Sequence, residues 1–196
     1  MRTLPPVLLA SASPRRVELF RQVVPFFEVI PSHVPESNDA SLGIQHLCEV
    51  NAERKAYSVA LLYPGSLVVG ADTLVWLEGE PLTKPVDDLE ARSLLLRLSG
   101  QVHQVVTGVC LIHQASGWIQ LFSETTQVRF RSYDHRVIDD YLSKVYTLDK
   151  AGGYAIQEHG DLLVESVEGS VSNVIGLPVE RLKRVLEFWD QSCQEG

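Results

Sequence analysis

No apolar run in this chain approaches the ~20 residues that a membrane-spanning helix requires, so no membrane partner is expected. The N-terminus carries one arginine and a short apolar run that leads straight into Arg15 and Arg16. It lacks a full hydrophobic region and a clear cleavage site, so no signal peptide is read and a cytoplasmic location is expected. Cysteine is scarce: Cys48, Cys110 and Cys193 are scattered, form no CxxC pair and are odd in number, which fits reduced thiols. The six histidines are dispersed without HExxH or a comparable zinc pattern, and neither a GxSxG elbow nor a Walker phosphate loop occurs. Positive charge is also short: 17 Lys and Arg stand against 25 Asp and Glu, a formal net charge of −8. A general nucleic-acid binder usually shows a basic face, and none is visible, so no nucleic-acid partner is expected. An anionic small substrate stays open, because the local field in a cleft decides binding rather than the total charge.

What is present is ordinary for a globular chain: 45% apolar and 21% charged residues, with no repeat, low-complexity segment or linker across 196 positions. One domain over residues 1–196, of α/β class, is expected. The most informative stretch runs from Val7 to Arg16. Val7-Leu8-Leu9-Ala10 is long enough for one buried strand, and Ser13 followed by Pro14 is a helix start. Val17, Phe20 and Val24 then recur at helical spacing, with Leu19 and Val23 widening the stripe. Arg15 and Arg16 sit in the first helical turn, where the helix dipole disfavours a cation by roughly 0.3–1 kcal/mol. A bound anion reverses that sign: helix-start N–H groups, two guanidinium forks and the hydroxyls of Ser11 and Ser13 make a phosphate cradle. The competing reading is two solvated arginines.

A second signal is Asp72, the one carboxylate inside the apolar strand 67–77. Burying an ionised aspartate costs several kcal/mol unless it is paired, hydrogen-bonded or metal-bound. The competing reading is an aspartate at a strand bulge, held by an arginine. Around these lie a strand at 26–30, a polar loop carrying Glu36, a helix at 44–62 carrying Lys55, and Lys84 before a capping box of Asp87 and Glu90. Read alone, Glu36 is a solvated loop acid, Lys55 a surface lysine, Lys84 a solvated or structural lysine, and His103 a satisfied structural histidine. Two strands flank a hairpin at 115–117, Asp134 caps a further helix, and adjacent glycines open the segment Asp149 to Gln157. A strand at 164–167 and a helix containing Val179, Leu182, Val185, Leu186 and Trp189 close the chain.

The run Leu9-Ala10-Ser11-Ala12-Ser13-Pro14-Arg15-Arg16 resembles the signature of the Maf family, nucleoside triphosphate pyrophosphatases once named as septum-formation inhibitors. Gly70-Ala71-Asp72-Thr73, Lys84-Pro85, Leu98-Ser99-Gly100, Val106-Thr107-Gly108-Val109 and Val174-Ile175-Gly176-Leu177-Pro178 match the same family in the same order. The resemblance implies an α/β fold: a mixed twisted sheet with flanking helices, two lobes around a cleft, similar to inosine triphosphate pyrophosphatases, and a homodimer. It implies Asp72 as general base, Ser11, Ser13, Arg16, Lys55 and Lys84 as phosphate-binding residues, and Arg15, Thr73 and Gln157 as selectors of the base. Glu36 is the nearest match to a functional acid of the family. With Asp72, whose role as metal ligand the sequence does not separate from that of base, it is expected to hold a divalent cation, Mg²⁺ by its preference for hard oxygen ligands, with Mn²⁺ as the alternative. The string Asp149 to Gln157 resembles the subgroup acting on dTTP and UTP, and departs from it at Gly153 and Ala155, where that subgroup has alanine and glycine. An alanine does not take positive φ cheaply, so a family backbone with φ above zero at Ala155 would have to shift. Two other readings stay open: the subgroup acting on 7-methylguanosine triphosphate, and a nucleotide-binding regulator of septum formation without turnover.

Overall fold

The computed structural model describes residues 5–192. Its first unit is strand β1 (Val7–Leu9), a short turn and helix α1 (Pro14–Arg21). Ser13 is the N-cap, with extended backbone and its hydroxyl accepting from the Arg16 N–H at 3.4 Å. The next strand, β2 (Glu28–Val29), is shorter than the apolar segment 26–30 suggested. It pairs in parallel with β1 only at Leu8 and Leu9. Helix α2 (Ile44–Ala60) leads to the long strand β3 (Leu67–Leu77), whose bounds are those of the apolar run. Then follow β4 (Glu80–Leu82), α3 (Asp88–Leu98), β5 (Val102–His113), β6 (Trp118–Phe130), α4 (His135–Lys144), β7 (Val164–Glu168), α5 (Val171–Ile175) and α6 (Val179–Ser192). Asp87 and Asp134 cap α3 and α4 with their carboxylates. Cys193 lies outside the described residues.

The seven strands form one mixed sheet in the order β2-β1-β3-β5-β6-β7, with β4 on the outer half of β3. Strand side chains alternate between faces, and here the alternation assigns partners. Leu67, Val69 and Ala71 of β3, with Val109 and Leu111 of β5, pack against Leu19 and Phe20 of α1 and Leu182, Leu186 and Trp189 of α6. Val68 of β3 and Cys110 and Ile112 of β5 face Ala52, Ala56 and Val59 of α2 on the other side. A third apolar cluster gathers α3, α4, Val75 and Leu77 around Val128 and Phe130. Because the period is 2, Asp72 follows Val68 onto the α2 face, while Thr73 follows Ala71 onto the α1 face.

Helix α2 lies unusually close to the sheet. A Cβ at Gly70 would stand 2.5 Å from the Ala52 carbonyl oxygen, and one at Gly108 2.4 Å from the Cys48 backbone. These two positions admit no side chain, which brings the polar residues of α2 within reach of Asp72. Gly108→Ala must therefore lift α2 off the sheet. A destabilisation of about 3 kcal/mol or more in urea unfolding is expected, with loss of activity in the fraction that folds.

His103 is buried on β5, with Nε2 2.7 Å from the Tyr154 hydroxyl and its ring edge-on to Phe130 at 4.8 Å. Among the described residues its Nδ1 has no hydrogen-bond partner, so the histidine is structural but only half satisfied. Desolvation lowers its pKa to about 4. The unfolded chain takes up this proton near its usual pKa of ~6.5 while the folded chain does not, so stability is full above that pH and falls as pH drops toward 4. His103→Gln is expected to remove up to roughly 3 kcal/mol of this acid sensitivity, read from denaturant midpoints between pH 7 and 4.

Candidate active site

Arg15 and Arg16 are adjacent in sequence but diverge by about 100° around α1. Arg16 points back under the sheet end. Its Nη1 donates to Ser11 Oγ at 3.0 Å, its Nε to the Gly176 carbonyl at 2.9 Å and its Nη2 to Thr73 Oγ1 at 3.1 Å. Every one of these acceptors is neutral. Desolvation lowers the Arg16 pKa below its ordinary value, opposed by the charges of Asp72 and Glu36. An arginine still keeps its proton at such a site. Arg15 instead crosses to Asp149, 2.9 Å away, which also receives Lys150 at 2.8 Å. Burial alone would raise the Asp149 pKa, but the hydrogen bonds and charges of Lys150 and Arg15 outweigh it and hold the carboxyl below its usual value. Neither arginine is merely solvated.

The Thr73 hydroxyl has a defined polarity. Thr107 sits opposite it in the β3–β5 register and donates to the Asn173 carbonyl at 3.1 Å. With that proton committed, the 2.9 Å contact between the two threonines has Thr73 donating to Thr107. A proton-ordered chain thus runs from Arg16 through Thr73 and Thr107 to Asn173, and leaves Thr73 only a lone pair to offer a ligand.

On the opposite face, Asp72 is 4% exposed, and both of its oxygens are held by α2. Lys55 Nζ donates to Oδ1 at 2.7 Å and Asn51 Nδ2 to Oδ2 at 3.0 Å. The partner is thus a lysine and an amide, not an arginine at a bulge. The same ammonium reaches Glu36 Oε1 at 2.5 Å. Lys55 is no surface lysine: its side chain is 12% exposed. Asn51 had drawn no functional reading from the sequence. Its signal was there, as a polar residue on the apolar stripe of α2 four positions before Lys55, where burial demands a partner. Lys150 was also missed. It is a 5% exposed lysine held by the Tyr146 carbonyl at 2.5 Å, Asp149 and Glu158.

These groups share one cleft of about 320 Å³. Ser13, Arg15, Arg16, Glu36, Lys55, Asp72, Thr73, Lys84 and Gln157 all line it. Ser11 lies in an adjoining hollow of about 310 Å³, which shares Ser13, both arginines, Glu36, Lys55 and Lys84 with the first. Lys84 and Gln157 are exposed at the walls, whereas Asp72 is deep. Five cations, Arg15, Arg16, Lys55, Lys84 and Lys150, face three carboxylates, Glu36, Asp72 and Asp149, so the cleft is locally positive in a chain of net charge −8. Gly152 and Gly153 take φ of +71° and +72°, while Ala155 stays out of the left-handed region. The exchange of small residues therefore puts the glycine where the backbone uses it. The Ala155 N–H donates to the Tyr141 hydroxyl at 2.9 Å, which fixes this wall.

The donor set is suited to a hard cation. Glu36 and Asp72 bring carboxylate oxygens to one ammonium, and Mg²⁺-type sites need only one or two carboxylates, with substrate phosphates and water completing the shell. Among the described residues, no group of three or more His, Cys, Asp or Glu comes together, so an all-protein cage is not what these residues form.

Comparison with known proteins places this geometry in a family. A model of the Maf-like protein family matches residues 6–189. The dTTP/UTP pyrophosphatase of Akkermansia muciniphila is 46% identical over 183 residues, covering 93% of this chain and 96% of that protein. The dTTP/UTP pyrophosphatase of Symbiobacterium thermophilum is 42% identical over 92% of each chain, and that of Pyrococcus furiosus 40% identical over 93% of this chain and 94% of its own length. A HAM1 protein from Coxiella burnetii shares the fold, with a TM-score of 0.51 over 94% of this chain and 99% of that chain at 14% identity. By family match and by identity over nearly its whole length, the chain belongs to the Maf-like protein family.

Proposed function

We propose that this protein hydrolyses dTTP and UTP to the nucleoside monophosphate and pyrophosphate. The observation that carries this reading is the convergence of five cations from four chain segments around one buried carboxylate. Phosphoanhydride hydrolysis needs that arrangement, because positioning and charge neutralisation supply most of its catalysis. The relatives named above act on dTTP and UTP, which supports the pyrimidine assignment.

In this mechanism Arg16, Lys55 and Lys84 neutralise the phosphates, with Ser11 and Ser13 donating hydrogen bonds beside the start of α1. Asp72 takes a proton from a water molecule as the water oxygen attacks the α-phosphorus. The bond from the α-phosphorus to the bridging oxygen breaks, and pyrophosphate leaves. Glu36 and Asp72 are the residues that would hold a divalent cation, Mg²⁺ or Mn²⁺, which supplies further charge neutralisation and Lewis acidity at the phosphates when bound. Gln157 offers a donor and an acceptor to the edge of the base, and Arg15, anchored on Asp149, bounds the same wall. The active form is a cytoplasmic homodimer. None of the described helices is long and apolar enough to cross a membrane.

A panel of dTTP, UTP, 7-methylguanosine triphosphate and the purine triphosphates, read by pyrophosphate release, tests the reading. Release from dTTP and UTP at least tenfold faster than from the others is expected. Nucleotide binding without pyrophosphate release would overturn it in favour of a regulator. Asp72→Asn is expected to lower kcat for dTTP by roughly 10²–10⁴, the range of a lost general base. Lys84→Ala is expected to raise KM several-fold, because an exposed cation at the wall contributes mainly to binding.

A further inference from the structure

We propose that Asn51 is a positioning residue that locks Asp72 and the Glu36 loop into one rigid unit, a role that rests on the hydrolytic reading above. Its side-chain amide has three partners, and they fix its orientation. Oδ1 accepts from the Ser37 N–H at 2.8 Å, and Nδ2 donates to the Ser37 carbonyl at 3.0 Å. The second Nδ2 hydrogen goes to Asp72 Oδ2 at 3.0 Å. Exchanging the amide oxygen and nitrogen would set an oxygen against both the carboxylate and the Ser37 carbonyl, so one orientation alone satisfies every partner.

The two bonds to Ser37 imitate a bridge between strands. They tie the loop next to Glu36 to helix α2, and the bond to Asp72 ties the same amide to β3. Asn51 is 2% exposed, so water cannot replace these bonds if they are lost. Helix periodicity completes the clamp. Asn51 and Lys55 are four residues apart on one face of α2, and they hold the two oxygens of one carboxylate, Lys55 at Oδ1 and Asn51 at Oδ2. Two donors on one helix face hold both oxygens of the carboxylate, and Asp72 lines the cleft. Lys55 also binds Glu36, so Asn51 and Lys55 are two links between the same pair of acids. Lys55 supplies charge as well, whereas Asn51 supplies only geometry.

The role predicts coupling rather than a simple loss. Asn51→Leu keeps the volume and removes all three bonds. Its kcat for dTTP is expected to fall 10- to 100-fold with KM within threefold of the wild-type value. A smaller folded fraction would also lower kcat, so the deciding measurement is a cycle with Glu36→Gln. In the wild-type background Glu36→Gln carries its full effect, and in Asn51→Leu its effect should shrink at least fivefold, because the glutamate is no longer held in place. Effects that multiply independently would overturn the proposal. Asn51→Ala removes the same three bonds without placing a larger apolar side chain against the carboxylate, and serves if the leucine variant does not fold. It should show the same kcat loss and the same faster exchange of the Ser37 amide.

Hydrogen exchange at Ser37 separates this inference from the hydrolytic reading. If the wild-type protein released no pyrophosphate, the reading would fall, but the clamp would still predict at least 30-fold faster exchange of the Ser37 amide in Asn51→Leu, with the amides of β3 and β5 unchanged. Unaltered Ser37 exchange in that variant would overturn the clamp whatever the activity.

Discussion

The structure depends on satisfying one ionised carboxylate inside a β-strand. Asp72 sits in the middle of β3 with Val69 and Ala71 before it and Leu74 and Val75 after it, all buried. Left unpaired there, it would weaken the sheet by several kcal/mol. The chain meets this demand with α2, and the distance is short enough because Gly70 and Gly108 remove the Cβ atoms that would hold the helix away. The close approach of α2, the burial of Lys55, the use of an asparagine on an apolar stripe and the anchoring of the Glu36 loop all follow from that requirement. Stability and function are coupled here: the groups that make Asp72 tolerable are the groups that hold it in a fixed orientation facing the cleft.

The alternation of a strand divides the site into two halves. Asp72 faces α2 and meets charged partners, whereas Thr73 faces α1 and meets Arg16 and Thr107. One half is rich in charge and suited to proton and metal chemistry. The other is a chain of neutral acceptors that fixes a guanidinium without neutralising it. A cation held by hydroxyls and carbonyls keeps its full charge for a polyanion, while a cation held by a carboxylate must be shared. Arg16 is of the first kind and Lys55 of the second, although both line the same cleft.

Much of the fold was legible because its signals are local. Ser13, Asp87 and Asp134 cap helices as their side chains and positions suggested, and β3 keeps the bounds of its apolar run. What the chain does not write locally is pairing. Nothing in residues 7–9 says that they lie parallel between 28–29 and 67–69, and the short β4 and α5 have too few residues to show a period. The site divides in the same way. Asp72 stood out because a lone carboxylate breaks an apolar strand, and the two arginines because they oppose a helix dipole. Glu36, Lys55, Lys84 and Gln157 carry no such conflict, and only the family resemblance singled them out. Asn51 and Lys150 lie between these cases. Each is a polar side chain whose burial is visible only once the helix stripe or the loop path is known.

Arg15 and Arg16 show why adjacency in sequence is a poor guide to shared function. One residue of a helix turns about 100°, so neighbours serve different walls. Arg16 is locked from below by β3, Ser11 and the turn after α5, and each of those contacts comes from a different part of the chain. It is rigid before any ligand arrives, and a rigid donor loses little conformational entropy on binding. Arg15 is held by Asp149 at the side of the cleft, with side-chain exposures of 26% and 45%, where solvent weakens the pair. The two guanidinium groups therefore differ in the freedom each has left. Under the proposed hydrolysis the fixed one would set the place of a phosphate, and the looser one would be free to exchange a carboxylate for a ligand oxygen. Holding a polyanion and then releasing two products calls for both behaviours, and consecutive residues of one helix turn differ in that sense.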